Sequence, residues 1–258
     1  MNKSWILSKS TLKELIKNKA IYYTMIFGVI LLFLGFTQEA LVLEFESNAG
    51  ESQDLSEILG LIFFHIFLYI WFLVAASICS NNFFEELVDG SAEMILPYMS
   101  KKSYLLSKFV GYTVSFFLLL AVTFLILFLL LNFTTNALNF KLLISSLMLI
   151  PNFLFLFSLL SIFNVFSKRK TAGILTYITY LFFTILNVDY VLSNFFGEGL
   201  AKALKYIIPS IARWQSEIVK FCFGFKMSDY WPYWLLNVVI YSFMMLFLAM
   251  RFSEKSEV

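Results

Sequence analysis

The chain has 258 residues, of which 60% are hydrophobic and only 14% charged, with a formal net charge of +2. So little polar surface excludes a water-soluble globule of this size, and so small a charge excludes a basic nucleic-acid footprint. The composition is that of an all-α polytopic membrane protein, read as a single transmembrane domain over residues 1–258.

Residues 1–19 contain five of the lysines and read as an amphipathic helix. At 100° per residue Trp5, Leu12, Leu15 and Ile16 share one arc while Lys9, Lys13 and Lys17 line the next, a pattern suited to an interfacial helix in the headgroup layer. Leu7 falls off that face, and a positively charged leader without fixed shape is the alternative. No small-residue cleavage site follows a short apolar core, which argues against a cleavable signal peptide.

A helical crossing needs about 20 mostly apolar residues, and six segments qualify: 20–36, 59–79, 109–133, 142–166, 172–188 and 233–250, the first and fifth being short. The link after the first span, 37–58, carries Glu39, Glu44, Glu46, Glu51, Asp54 and Glu57 and no Lys or Arg. The second span holds the one histidine, His65, among Phe63, Phe64 and Phe67, where a packing role outweighs a metal or titrating one. Cys79 ends this span and Cys222 lies in the segment before the last, on opposite sides of the membrane, so the two are not expected to pair.

Residues 80–108 follow as an acidic, then basic block between long apolar runs. Asp89-Gly90 favours a sharp turn, and Ser91 is placed to cap a short helix whose apolar side is Met94, Ile95 and Tyr98 until Pro97 disturbs it. Such a helix is too short to stand without a docking surface. In the fourth span Pro151 removes a helical hydrogen bond and predicts a kink. Asn152, Asn164, Asn187 and Asn237 are expected to hydrogen-bond between helices.

The segment 189–232 is too long for a turn and too polar for a span. Leu200, Ala203, Leu204, Ile207 and Ile208 recur there at helical spacing until Pro209. Trp214, Trp231 and Trp234 suit the membrane interface. None of the six spans contains Asp, Glu, Lys or Arg, which weakens a proton- or ion-relay transporter. Phosphate-loop, His-Glu-x-x-His and Gly-x-Ser-x-Gly signatures are also missing, so no catalytic, cofactor or metal site is expected on this chain.

With the N-terminus inside, thirteen of the nineteen Lys and Arg fall on the cytoplasmic side, among them Lys101, Lys102, Lys108, the Lys168-Arg169-Lys170 cluster, Arg251 and Lys255. The positive-inside rule then puts both termini and residues 80–108 in the cytoplasm and 189–232 outside.

In order, Glu86, Gly90, Ser91, Glu93, Ile95-Leu96, Pro97, Ser100-Lys101 and Lys108 resemble the cytoplasmic coupling segment that joins the second and third spans of type-2 ATP-binding-cassette permeases. Pro97 comes slightly early in the turn, and Ser107 stands where that family often has Gly before the Lys. An N-terminal interfacial helix and six spans extend the resemblance along nearly the whole chain.

The resemblance implies a permease subunit of an ATP-driven exporter in a bacterial cytoplasmic (inner) membrane, not itself an enzyme. It implies a second permease copy, most simply a homodimer, and a separate ABC ATPase subunit that binds ATP and Mg. Glu85, Glu86, Asp89, Gly90, Glu93, Met94, Ile95 and Tyr98 form its ATPase-coupling surface on this chain. For 189–232 the resemblance implies short re-entrant or surface helices, forming a gate or a platform for an extracytoplasmic partner protein; a plain interfacial loop is the competing reading. Size and the short first outer loop look like the group exporting drugs or peptides or serving multicopper-enzyme maturation. A secondary transporter and a non-transporting scaffold or immunity-type protein are the alternatives from other classes.

Overall fold

The computed structural model describes residues 3–46, 53–88, 100–135, 139–167, 171–187, 189–223 and 226–255, and these form helices with no strand among them. In chain order they are α1 (Lys3–Lys17), α2 (Lys19–Glu46), α3 (Gln53–Val88), α4 (Lys101–Thr135), α5 (Phe140–Met148), α6 (Ile150–Ser167), α7 (Thr171–Leu186), α8 (Asp189–Ile207), α9 (Ile211–Cys222) and α10 (Trp231–Lys255).

Five stretches are long and apolar enough to cross a membrane: Lys19–Thr37, Ile62–Asn81, Lys101–Thr134, Phe140–Phe166 and Trp231–Ser253. A sixth crossing counts only if α7 and the first half of α8, bent 60° apart, form one broken span. At 1.5 Å per residue the 16 residues of α7 reach about 24 Å, short of the roughly 30 Å hydrocarbon layer. The protein is a multi-pass membrane protein.

The centre is α6, which packs on α3, α4, α7 and α10. Its Phe153, Phe155, Leu156, Phe157, Leu159 and Leu160 are all buried. Aromatic edges rather than aliphatic chains fill the space between helices: Phe72 lies 5.2 Å from Phe153 and 5.1 Å from Tyr180, and Phe116 lies 5.7 Å from Phe157. In lipid no hydrophobic gain comes from bringing apolar helices together, so such ring contacts and close backbone approaches carry the association.

Two glycines permit those approaches. A Cβ on Gly28 of α2 would stand 2.2 Å from the Phe67 ring of α3. One on Gly173 of α7 would stand 2.8 Å from the Ala76 carbonyl oxygen, and the Gly173 amide donates to Ser80 Oγ at 3.0 Å. The start of α7 is thereby pinned to the end of α3.

Several boundaries move from where the apolar runs end. The acidic link 37–58 is largely helical, since α2 continues to Glu46 and α3 begins at Gln53. At the other end α3 continues past its apolar stretch to Val88 and α4 starts at Lys101, so helix occupies much of 80–108. Backbone hydrogen bonding propagates a helix once nucleated, whatever the polarity of the next side chains. Lys108 is buried in this first part of α4, at 2% exposure, with its ammonium 5.9 Å from the Tyr112 ring.

The N-terminal helix forms and packs along α4, but its arc splits. Thr11 and Leu15 are buried against the bundle and Leu12 is half-buried, whereas Ile16 is 43% exposed together with Lys13 and Lys17. A neighbouring helix has claimed one side of an amphipathic stripe that the sequence pattern assigned wholly to the membrane surface. Trp5 lies on the helix as expected.

Gly173→Val is expected to lower the stability of the detergent-solubilised protein by about 1–3 kcal/mol, because its nearest new contact is backbone and not a flexible side chain. Gly199→Ala, whose Cβ meets nothing within 4 Å, serves as the control and leaves the thermal midpoint unchanged or raises it.

Candidate functional site

At the end of the bundle away from Lys101 and Ser167, the chain between α7 and α10 folds into a hairpin of short helices. The segment 189–232, read as short re-entrant or surface helices or as a plain interfacial loop, is helical over most of its described length, and its buried part lies further along than the sequence stripe indicated. Leu200 and Ile207 of that stripe are 63% and 58% exposed. It is α9 that enters the bundle, burying Ile211, Trp214, Gln215, Ile218, Val219 and Cys222. Their 3- and 4-residue spacing is the sequence signal for this helix, masked by Arg213, Glu217 and Lys220 within the same run. Trp214 and Trp234 are buried core residues rather than interface anchors, while Trp231 is partly exposed.

The last carbonyls of a helix have no donor within it and must find one elsewhere. The α8–α9 reversal does so with side chains. Arg213 Nη1 donates to the Lys205 carbonyl at 2.8 Å, and Tyr233 Oη and Asn237 Nδ2 donate to that of Tyr206 at 2.6 and 3.3 Å. The Tyr241 hydroxyl donates to the Ile207 carbonyl. Asn187 Nδ2 donates to the Pro209 carbonyl at 2.6 Å, and Asn237 Oδ1 accepts from the Ser210 amide at 2.8 Å. Three residues of α10 and one following α7 therefore grip the turn, and Arg213 stacks over Trp234 at 5.1 Å.

The far side of α9 seals the break at Pro151. The fourth span is two helices, α5 and α6, parted at Leu149, where the Asn152 amide bonds the Leu149 carbonyl and leaves the Met148 carbonyl without its usual helical donor. Trp214 Nε1 donates to that carbonyl at 3.0 Å. The kink expected from proline is thus a joint filled by a tryptophan from another element.

Beside this joint Tyr180 of α7 receives two carboxamides, Gln215 Nε2 at 2.8 Å and Asn152 Nδ2 at 3.4 Å. All three side chains are fully buried. The other end of α9 is held by Asn139, which donates to the Cys222 carbonyl at 3.2 Å, and by Glu217, which accepts from Lys220 Nζ at 2.9 Å and the Ser228 amide at 2.6 Å. Asn152, Asn187 and Asn237 make the interhelical bonds their positions predict, and Asn164 is buried.

The remaining sequence-predicted residues lie elsewhere. Glu85 and Glu86 fall on the last turns of α3, at the opposite end of the bundle from the hairpin. Asp89, Gly90, Glu93, Met94, Ile95 and Tyr98 lie outside the described residues. His65 is half-buried on α3, its ring 6.2 Å from that of Tyr69. Cys79 and Cys222 are buried at opposite ends of the bundle. Among the described residues no group of three or more His, Cys, Asp or Glu is placed to hold a metal ion. The hairpin and its neighbours thus bring together hydrogen-bonding amides, a phenol and an indole.

No protein-family model matches the sequence, and no curated protein matches it.

Trp214→Phe keeps an aromatic but smaller ring and removes the donor to Met148, leaving a buried carbonyl unpaired at a cost of about 1–3 kcal/mol. The expected result is a lower thermal midpoint and faster modification of the buried Cys222 thiol by a small maleimide, while the rate at Cys79 stays constant.

Proposed function

We propose that this chain is the permease subunit of an ATP-driven exporter of the type-2 ATP-binding-cassette class, seated in a bacterial cytoplasmic membrane with both termini inside. The observation that carries the reading is the ordered run from Glu86 through Gly90-Ser91, Glu93, Pro97 and Ser100-Lys101 to Lys108, set between two long apolar helices. Helix α3 continues beyond its apolar stretch through Glu85 and Glu86, which supports a rigid arm reaching toward a soluble partner. The burial of Tyr104, Ser107 and Lys108 ties the start of α4 into the bundle, so force on this segment acts on packed helices.

In this reading Glu85, Glu86, Asp89 and Glu93 meet basic residues of a separate ATPase, and Met94, Ile95 and Tyr98 fill its apolar groove. ATP and Mg reside on that partner, and a second copy of this chain completes the membrane unit. Helix α1 lies at the inner surface, using Leu15 against α4 and Ile16 against lipid. The α8–α9 hairpin closes the outer end. With no acidic or basic residue in the apolar runs, the cargo is amphipathic or lipid-like.

Affinity purification from the native membrane in mild detergent tests the assignment, comparing wild type with the Glu86→Lys, Glu93→Lys double variant by mass spectrometry. An ATPase recovered with wild type and reduced at least tenfold in the variant is the expected outcome. Failure to recover any ATPase with wild type, even after crosslinking, would discard the exporter reading in favour of a secondary transporter or a scaffold.

A further inference from the structure

Helix α7 is built inside out. Its outward residues Ile174, Leu175, Ile178, Phe182 and Ile185 are apolar and exposed, whereas the face turned into the bundle is Gly173, Thr176, Tyr180 and Thr184, continued by Asn187 just beyond the helix. Positions 173, 176, 180, 184 and 187 fall within one arc of roughly 80° at 100° per residue. In lipid a face of small and hydroxyl residues is what packs helices together, and here it also meets two buried carboxamides.

The polar atoms along this face do not satisfy one another. Asn152 and Gln215 each use one end of the carboxamide on the Tyr180 hydroxyl, and their oxygens, both fully buried, have no partner. In either orientation of these amides the Tyr180 phenol has only one proton to give, so it donates to at most one of them. Asn187 Oδ1 is buried and unpartnered as well. Here the assignment is fixed, since Nδ2 of Asn187 donates to the carbonyls of Phe183 and Pro209. From Tyr180 to Asn187 the helix rises about 10 Å.

We propose that this seam, bounded by α7, Asn152 of α6 and Gln215 of α9, is a binding site for water, holding a short file of molecules from the Tyr180 node toward Asn187 beneath the hairpin. Water both donates and accepts, so it satisfies the carboxamides in either orientation. A cation satisfies only oxygens, and neither Asp nor Glu stands on the seam to compensate its dehydration. The proposal is independent of what powers the protein. Its consequence is that the direct Gln215–Tyr180 bond between α9 and α7 is flanked by exchangeable solvent, which can take up the groups that their separation would unpair.

Radiolytic hydroxyl-radical footprinting of the full chain in lipid nanodiscs, run in water enriched in oxygen-18, reads bound water directly. Rates are normalised to the denatured chain, with Phe64 and Phe124 as controls, both fully buried and 6.0 Å apart in apolar core. Tyr180 is expected to be labelled at least fivefold faster than either control, with oxygen from the enriched water. The Asn152→Leu, Gln215→Leu double variant is expected to bring Tyr180 down to the control rate. Thr184→Val provides a milder variant, expected to halve the Tyr180 rate, should the double variant not fold. Labelling of wild-type Tyr180 no faster than Phe124 overturns the proposal, because a dry seam gives that result. A Tyr180 rate that changes more than twofold when sodium and potassium are replaced by N-methylglucamine also overturns it, in favour of a cation.

Discussion

Backbone carbonyls left without a helical donor govern this structure. In a helix lying wholly in lipid the ladder satisfies every carbonyl but the last few, so each interruption must be answered by a donor from somewhere else. The chain interrupts its helices twice in one region, at Leu149-Ile150 and at Ile208-Ser210, and the two interruptions answer each other across α9. Trp214 serves the first, while Arg213, Tyr233, Asn237, Tyr241 and Asn187 serve the second. Removing α9 would take the Trp214 donor from the first break and the Arg213 donor from the second, which accounts for so short and so charged a helix being held in the bundle.

The same constraint separates what could be read in the sequence from what could not. Long apolar runs marked the crossings, because lipid demands about 20 apolar residues whatever their neighbours do. The ends of helices were less legible: Glu46 and Val88 remain helical because the backbone, not hydropathy, decides where a helix stops. Pro151 announced a break, but nothing near it in sequence names Trp214 as its seal, 63 residues later. Likewise Leu200 and Ile207 hold a helical stripe that faces outward, since in a membrane an apolar face need not face protein. The polar residues Gln215 and Asn237 were the better guides to burial there.

Aromatic packing and polar seams divide the interior between them. Around α6 the rings of Phe72, Phe116, Phe153 and Phe157 interlock, and a well-filled core of this kind resists small adjustments. Around α7 hydroxyls and carboxamides join the rings of Tyr180 and Phe183, so polar contacts are mixed with aromatic ones there. The hairpin sits on that side.

The contact of Gly173 with Ala76 and Ser80 gives this division a mechanical sense. Backbones so near, joined by a hydrogen bond from the Gly173 amide to Ser80 Oγ, make α3 and α7 a single beam at that end. A displacement applied at Val88 cannot be absorbed by slippage between them and is carried along α7 to its distal tip. There the helix stops at Leu186 and meets the reversal through Asn187 alone. From that anchored end α7 runs about 20 Å to Leu186, so one close-packed glycine ties the hairpin end of this helix back to α3.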